Sequence, residues 1–301
     1  MEEIRKKIEE LKKEKDAVIL AHNYQLPEIQ DIADYLGDSL QLSRTGASLP
    51  QKVIIFCGVR FMAETAAILS PDKVVVLPDE DAGCPMVDMV KPEDVRKEKE
   101  KHPGVPVVSY VNTSAEVKAE TDYCCTSANA VKVVREIPGR EVLFFPDQHL
   151  GSYVQEKLPE KKLHLWPGYC IVHVRILPED IQKVRNQYPK AVVMVHPECK
   201  KEVRDLADEV LSTGGMVKYA RESKAEEFIV GTEVGIIYRL QKENPGKKFY
   251  PASKLAVCAN MKKITIDKVL YSLETLTPRI SLPAGIVQKA RQAIERMVKI
   301  R

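Results

Sequence analysis

The feature that most constrains this chain is an internal repeat. Three segments share one pattern: IRKKIEELKKEKDAVILAHNY from Ile4, PEDVRKEKEKHPGVPVVSYVN from Pro92 and PEDIQKVRNQYPKAVVMVHPE from Pro178, at offsets of 88 and 86 residues. Each is an amphipathic helical stretch, a short break, then an apolar β-branched run that ends in polar residues. Ser39, Ser127 and Thr213 keep the same offsets, and Cys84, Cys170 and Cys258 are spaced 86 and 88. Apolar runs VIIF (from Val53), VLFF (from Val142) and EFIV (from Glu227) lie 28 to 31 residues ahead of those cysteines. Several features holding one period mark repeated structural units.

Within a unit, strands alternate with helical patterns of about ten residues. That alternation predicts parallel sheets covered on both faces. The expected fold class is α/β, with three repeated three-layer αβα sandwich domains around a pseudo-threefold axis and the active site at the centre. The domains are expected at residues 1–85 together with 264–301, at 86–172 and at 173–263. Candidate helices in the first unit are Pro27–Leu36, Gln41–Ser48 and Arg60–Leu69. The tail from Ile264 carries two more helical patterns, broken by Pro278 and Pro283, and is expected to pack back on the first domain.

Charge excludes one broad class. The 46 basic residues face 43 acidic ones, whereas a phosphate-tracking protein shows a basic excess. No run of eighteen apolar residues suggests a membrane span, and the charged N-terminus does not read as a signal peptide. A cytoplasmic, reducing location is expected. There, cysteines are metal ligands, catalytic groups or core residues rather than disulfides. Cys57, Cys124, Cys125 and Cys199 have no equivalents in the other units and read as core.

The first strand of each unit ends in a polar pair: His22 and Tyr24, Tyr110 and Asn112, His196 and Glu198. Side chains at i and i+2 of a strand share a face, and ligands of open α/β units bind beyond the carboxyl ends of the strands. Three equivalent pairs are expected to converge on one pocket. Ser39, Ser127 and Thr213 each precede a helical pattern and read as N-caps; together they also suit a substrate bearing several anionic groups.

Three cysteines at equivalent positions would meet at the centre. Three thiolates suit zinc or an iron–sulfur cluster. Structural zinc takes four ligands, usually from C-x-x-C pairs, which the chain lacks. An electron-carrying four-iron cluster takes four cysteines. Three leave one iron open as a Lewis acid, which favours dehydration or condensation chemistry. On the residues alone, another three-cysteine hydro-lyase, an iron–sulfur sensor or carrier, and a zinc-stabilised binding protein stay open.

The chain resembles the quinolinate synthase family over nearly its whole length. The resemblance rests on AHNYQ from Ala21, GDS at Gly37, GCPM at Gly83, SYVNTSAEVKAETD from Ser109, CTSANA at Cys125, FPDQHLG from Phe145, PGYC at Pro167, VHPEC at Val195, STGGM at Ser212 and the late Cys258. It implies the triplicated αβα fold, and a [4Fe-4S] cluster held by Cys84, Cys170 and Cys258 with one open iron. It implies condensation of iminoaspartate with dihydroxyacetone phosphate to quinolinate, phosphate and two waters. His22, Ser39, Tyr110, Asn112, Ser127, His196, Glu198 and Thr213 would bind substrate. Glu198 would be a base next to the open iron, with Tyr24 and Tyr110 as proton donors or relays. A transient link to an aspartate-oxidising enzyme is also implied. Some members carry a second cysteine three residues after the last ligand. Here that position is Met261, so a disulfide switch by that route is not expected.

Overall fold

The computed structural model describes residues 2–300. The first repeat runs α1 (Glu2–Glu14), β1 (Ala17–His22), α2 (Pro27–Ile32), β2 (Tyr35–Gly37), α3 (Ser39–Ser48), β3 (Val53–Cys57), α4 (Arg60–Leu69) and β4 (Val74–Val76). The second runs α5 (Pro92–Lys101), β5 (Val107–Tyr110), α6 (Ala115–Ala119), β6 (Tyr123–Cys125), α7 (Ala130–Glu136), β7 (Glu141–Phe145), α8 (Gln148–Lys157) and β8 (Lys162–Leu165). The third runs α9 (Pro178–Gln187), β9 (Val192–Val195), α10 (Lys201–Arg204), β10 (Glu209–Val210), α11 (Thr213–Glu222), β11 (Glu227–Gly231), α12 (Ile236–Glu243) and β12 (Lys248–Pro251). The tail holds α13 (Ile266–Thr275) and α14 (Ala284–Lys299).

Each repeat folds its four strands into one parallel sheet, in the orders β2-β1-β3-β4, β6-β5-β7-β8 and β10-β9-β11-β12. Helices flank all three sheets, so the α/β class and the three αβα units stand as expected. In each sheet the chain leaves its first strand one way and returns on the other side, which puts a topological switch point between the first and third strands. That is where such sheets bind ligands. The runs that form β1 and β3 are buried along their whole length, as strands covered on both faces must be.

A device absent from the sequence reading fixes the strand pairing. Asp34, Asp122 and Asp208 keep the offsets of 88 and 86. Their carboxylates accept the N–H groups of Ile19, Val107 and Val193, each at 2.8 Å. Their own N–H groups donate to the carbonyls of the same three residues at 3.0 to 3.1 Å. One aspartate per repeat thus clamps the short second strand to the first.

The same clamp corrects the helix expected over Pro27–Leu36. The helix ends at Ile32, and Tyr35–Gly37 is strand β2. The apolar spacing of Ile29, Ile32 and Leu36 suits a continuing helix. The two bonds between Asp34 and Ile19 draw the chain into the sheet instead.

In the tail, α13 packs on α1 and β3, whereas α14 lies against α3 and α4 of the first repeat and α6 and β6 of the second. Arg44 donates to the carbonyls of Val298 and Ile300, and Asn129 to that of Met297. The tail therefore joins two repeats.

Asp31 joins the first repeat to the third. Its carboxylate accepts from Arg5 at 3.1 Å, Lys242 at 2.6 Å and Tyr238 at 2.8 Å. Burial alone would raise its pKa, but the bonds from Lys242, Tyr238 and Arg5 outweigh that and hold it below the ordinary value. A lowered carboxylate pKa stabilises the fold above the unfolded pKa of about 3.9 and is lost as pH falls through the folded pKa. Asp31→Asn is expected to cost about 1 kcal/mol at pH 7, because both cations are well exposed. The gap in urea midpoint should be full at pH 7 and shrink as pH falls below the unfolded pKa of about 3.9. An equal gap at pH 7 and below that pKa would show that the carboxylate charge is not what binds.

Candidate functional site

The carboxyl ends of the three sheets open on one cavity lined by residues of all three repeats, the place where α/β sheets bind ligands. All six strand-end residues line it, namely His22, Tyr24, Tyr110, Asn112, His196 and Glu198. So do the hydroxyl residues Ser39, Ser127 and Thr213 and the cysteines Cys84, Cys170 and Cys258. The three repeats place every one of the twelve equivalent residues in the same space.

The strand ends share a local device. The N–H of Tyr24 donates to His22 Nδ1 at 3.2 Å, and the N–H of Glu198 approaches His196 Nδ1 at 3.3 Å. With Nδ1 accepting, His22 keeps its proton on Nε2 and can donate it into the cavity. Burial first, then the neighbouring His196, lowers the His22 pKa to about 3, so the ring is neutral. His196 Nε2 lies 3.1 Å from Ser127 Oγ, which ties the third repeat to the second.

The hydroxyls are not caps. Ser39 and Thr213 open α3 and α11, whose caps are Asp38 and Ser212. Asp38 accepts from Gln41 N at 2.9 Å and Ser212 from Gly215 N at 3.1 Å. Ser127 lies in the turn before α7, which starts at Ala130 with Asn129 as its N-cap. Asp38 and Ser212 cap α3 and α11, while the Asn129 side chain accepts from Thr126 N at 2.8 Å instead of capping α7. The first repeat approaches the third closely: a Cβ on Gly214 would sit 2.5 Å from Asp38 Oδ2. Asn23 Nδ2 also donates to Thr213 Oγ1 at 3.0 Å.

Each cysteine opens the same short motif. A 3-10 turn follows it, at Val87–Met89, His173–Arg175 and Met261–Lys263. Backbone N–H groups two and three residues on turn back to each sulfur: Met86 and Val87 to Cys84, Val172 and His173 to Cys170, Asn260 and Met261 to Cys258. Burial is the main cause pushing each thiol pKa up, to about 12 for Cys84. Two sulfurs are also held from behind. Cys170 N donates to Asp147 Oδ2 at 3.1 Å and Cys258 N to Glu233 Oε1 at 3.0 Å. Both carboxylates are fully buried, and the first repeat has Val59 at the corresponding place.

These residues fit a thiolate-bound metal group. Buried thiols with aimed N–H donors stay protonated until a cation draws the protons off. The three sulfurs are not gathered as a single ion requires. Sets of three donors within 4.8 Å are, among the described residues, Cys170 with His173 and Glu198, and His102 with Glu141 and His164. Around one zinc ion, sulfurs at about 2.3 Å would be roughly 3.8 Å apart. Three buried polar atoms of the cavity, Glu198 Oε1, Asn112 Oδ1 and His173 Nδ1, have no hydrogen-bond partner among the described residues. Such atoms are costly unless something binds them.

Sequence reasoning missed Thr232 and His173 here. Tyr24 Oη lies 2.5 Å from Thr232 Oγ1 and 3.5 Å from His173 Nε2. His173 Nε2 is 2.8 Å from Thr232 Oγ1. On its other side, His173 Nδ1 lies 2.9 Å from Glu198 Oε2, and His196 Nδ1 lies 3.2 Å from the same oxygen. Burial would raise the Glu198 pKa, but His173 first and His196 next to it outweigh that, and the group stays a carboxylate. A run of close polar contacts therefore leads from Tyr24 through Thr232 and His173 to Glu198, its last link a charge contact rather than an aligned hydrogen bond. Asp38 and Glu233 also line the cavity. Met261, three residues after Cys258, is buried in its wall.

The chain matches the family model described as Quinolinate synthetase A protein over residues 6–299. It is 59% identical to a quinolinate synthase of Dehalococcoides mccartyi over 294 residues, 98% of this chain and 97% of that one. It is 54% identical to one of Desulforudis audaxviator, over 99% of each chain. With one of Methanoregula boonei it shares 52%, over 99% of this chain and 98% of that one.

Proposed function

The chain belongs to the quinolinate synthetase A protein family, and from that premise we propose that it condenses iminoaspartate with dihydroxyacetone phosphate to quinolinate, phosphate and two waters. Its activity is that of a quinolinate synthase in NAD biosynthesis. The carrying observation is the convergence of twelve repeat-equivalent residues, three of them cysteines, on one cavity.

In this reading Cys84, Cys170 and Cys258 hold a [4Fe-4S] cluster. When bound, its iron without a cysteine ligand supplies a Lewis acid to the substrate's oxygen or nitrogen. The N–H groups of the three 3-10 turns fix the sulfurs. Val59, Phe61, Met62 and Met261 wall the cavity with apolar surface, which keeps water from the reacting groups.

The chain's other residues bind and move protons. The N-termini of α3 and α11, with Ser39 and Thr213 as their first residues, offer free N–H groups and hydroxyls to carboxylate or phosphate. Ser127 and the Nε2–H of His22 add two further donors, and Asn112 and His196 complete the substrate's surroundings. Glu198, with one oxygen held and Oε1 free, takes a proton from the substrate. Tyr24 and Tyr110 donate or relay protons; burial raises the pKa of both hydroxyls, so they stay protonated. Thr232 and His173 link Tyr24 to Glu198 by close polar contacts. No helix among the described residues is long and apolar enough to cross a membrane. A cytoplasmic site and transient supply of the unstable imine by an aspartate-oxidising enzyme complete the proposal.

The test is turnover by anaerobically purified, iron-loaded protein supplied with both substrates. Quinolinate and phosphate should form in equal amounts. Iron-loaded protein that forms neither would refute the reaction.

A further inference from the structure

We propose that the second repeat carries a separate site for one zinc ion, built from His102, Glu141 and His164. These residues come from three elements. His102 caps the C-terminus of α5, Glu141 opens β7, and His164 sits on the edge strand β8. In the β7–β8 register Leu143 pairs with His164. Glu141, two residues before Leu143, therefore shares a face with His164, on the side where α5 ends.

One donor atom from each of the three lies within 4.8 Å of the others. The two imidazole centroids are 4.1 Å apart, and His164 Nε2 is 2.6 Å from Glu141 Oε2. One turn back on α5, Glu98 Oε2 lies 3.8 Å from His102 Nε2 and offers a fourth ligand. Lys162 Nζ stands 3.6 Å from Glu141 Oε2, but it is 66% exposed and free to swing away. All three donors are half-buried and reachable from solvent. Two imidazoles and a carboxylate form a standard zinc set, needing donors about 3.4 Å apart for ligand distances of about 2.0–2.1 Å. Side-chain rotations would bring the donors to that spacing, with His164 and Glu141 moving apart from 2.6 Å.

The third repeat is an internal control. At the places equivalent to His102, Glu141 and His164 it has Tyr188, Glu227 and Tyr250. The tyrosine rings stack 3.5 Å apart at 9°, and Tyr250 Oη donates to Glu227 at 3.0 Å. The backbones match as well, with φ/ψ of −127°/66° at His102 and −130°/70° at Tyr188. The third repeat thus ties its helix end to its edge strand with an aromatic stack and a glutamate. The second keeps the glutamate and replaces both rings with imidazoles, which changes a packing contact into a ligand set. A zinc ion there would do what the stack does.

The test uses tag-free, iron-loaded protein dialysed against zinc chloride, with zinc and iron counted per chain. One zinc should bind with no loss of iron and raise the melting temperature. His102→Tyr combined with His164→Tyr copies the third repeat's own solution and so keeps the packing. That variant should bind zinc more than about 100-fold more weakly, since losing two ligands exceeds the 10–100-fold typical of outer-shell changes. Its iron should be unchanged. Three results would overturn the site: no zinc on the wild-type chain, zinc bound only as iron is lost, or zinc retained by the double variant.

Discussion

Protein with Cys170 replaced by serine is expected to keep its three sheets and lose its iron. The change removes one atom's softness and little volume. A serine hydroxyl ionises far less readily than a thiol and is a harder donor, so it is a poor ligand for an iron–sulfur cluster. The surrounding device is built for sulfur: two N–H groups aim at it, and Asp147 holds the cysteine's own N–H at 3.1 Å. Iron should fall from about four per chain to near zero, the absorbance near 400 nm with it, and quinolinate formation to background. The far-UV circular dichroism should be unchanged, because the core strands and the aspartate clamps do not involve Cys170. Cys84→Ser and Cys258→Ser should behave alike. Cys124→Ser and Cys199→Ser are the controls, since both thiols are buried in the core away from the cavity. If either control lost the iron while Cys170→Ser kept it, ligation by repeat-equivalent cysteines would be wrong.

The period of the repeat shows why so much of the site was legible. A feature that recurs three times at one offset is separated from the background by its recurrence, and the fold then superposes the copies around one cavity. Strand-end pairs, hydroxyls and cysteines of the candidate site all stand out that way. What the period cannot show is a residue that breaks it. His173 occupies the third position after a cysteine, where the other repeats have Val87 and Met261. Thr232 follows β11 where they have Gly58 and Pro146. Both sit in the run of polar contacts that joins Tyr24 to Glu198, and neither has an equivalent to betray it. Asp147 and Glu233 recur twice, with Val59 in the first repeat, so a two-of-three rule would have caught them. The aspartate clamp recurs three times and was within reach. A lone aspartate before a short strand carries no chemical signature of its own.

The local misreadings have the same root. Residues Pro27 to Leu36 satisfy a helical spacing throughout, and only long-range bonds to Ile19 decide against it. Ser39, Ser127 and Thr213 suit caps by residue type, because hydroxyls favour that position. Asp38 and Ser212 are equally good caps one residue away, and sequence alone does not rank them.

Glu198→Gln is expected to leave the iron in place and to lower kcat by about 10²- to 10⁴-fold, the usual range for a general acid or base. Glutamine has the shape of glutamate and can still meet His173 and His196. It cannot take a proton. Glu198 is buried, its Oε2 is held by two histidines at 2.9 and 3.2 Å, and Oε1 is free. One oxygen is thus occupied with positioning while the other is left for the substrate. The histidines also keep the group ionised in a place where burial would otherwise protonate it. A carboxylate that served only to orient His173 would be replaced well by an amide, with a small loss confined to KM. The split between kcat and KM therefore separates a base from a spacer. Iron counted on the same sample separates both from a ligand, because Cys170, His173 and Glu198 also form a compact donor set. Loss of iron in Glu198→Gln would move Glu198 from proton transfer to metal binding. An undiminished kcat with iron intact would remove it from the chemistry, and the run of contacts from Tyr24 would then have to end at His173.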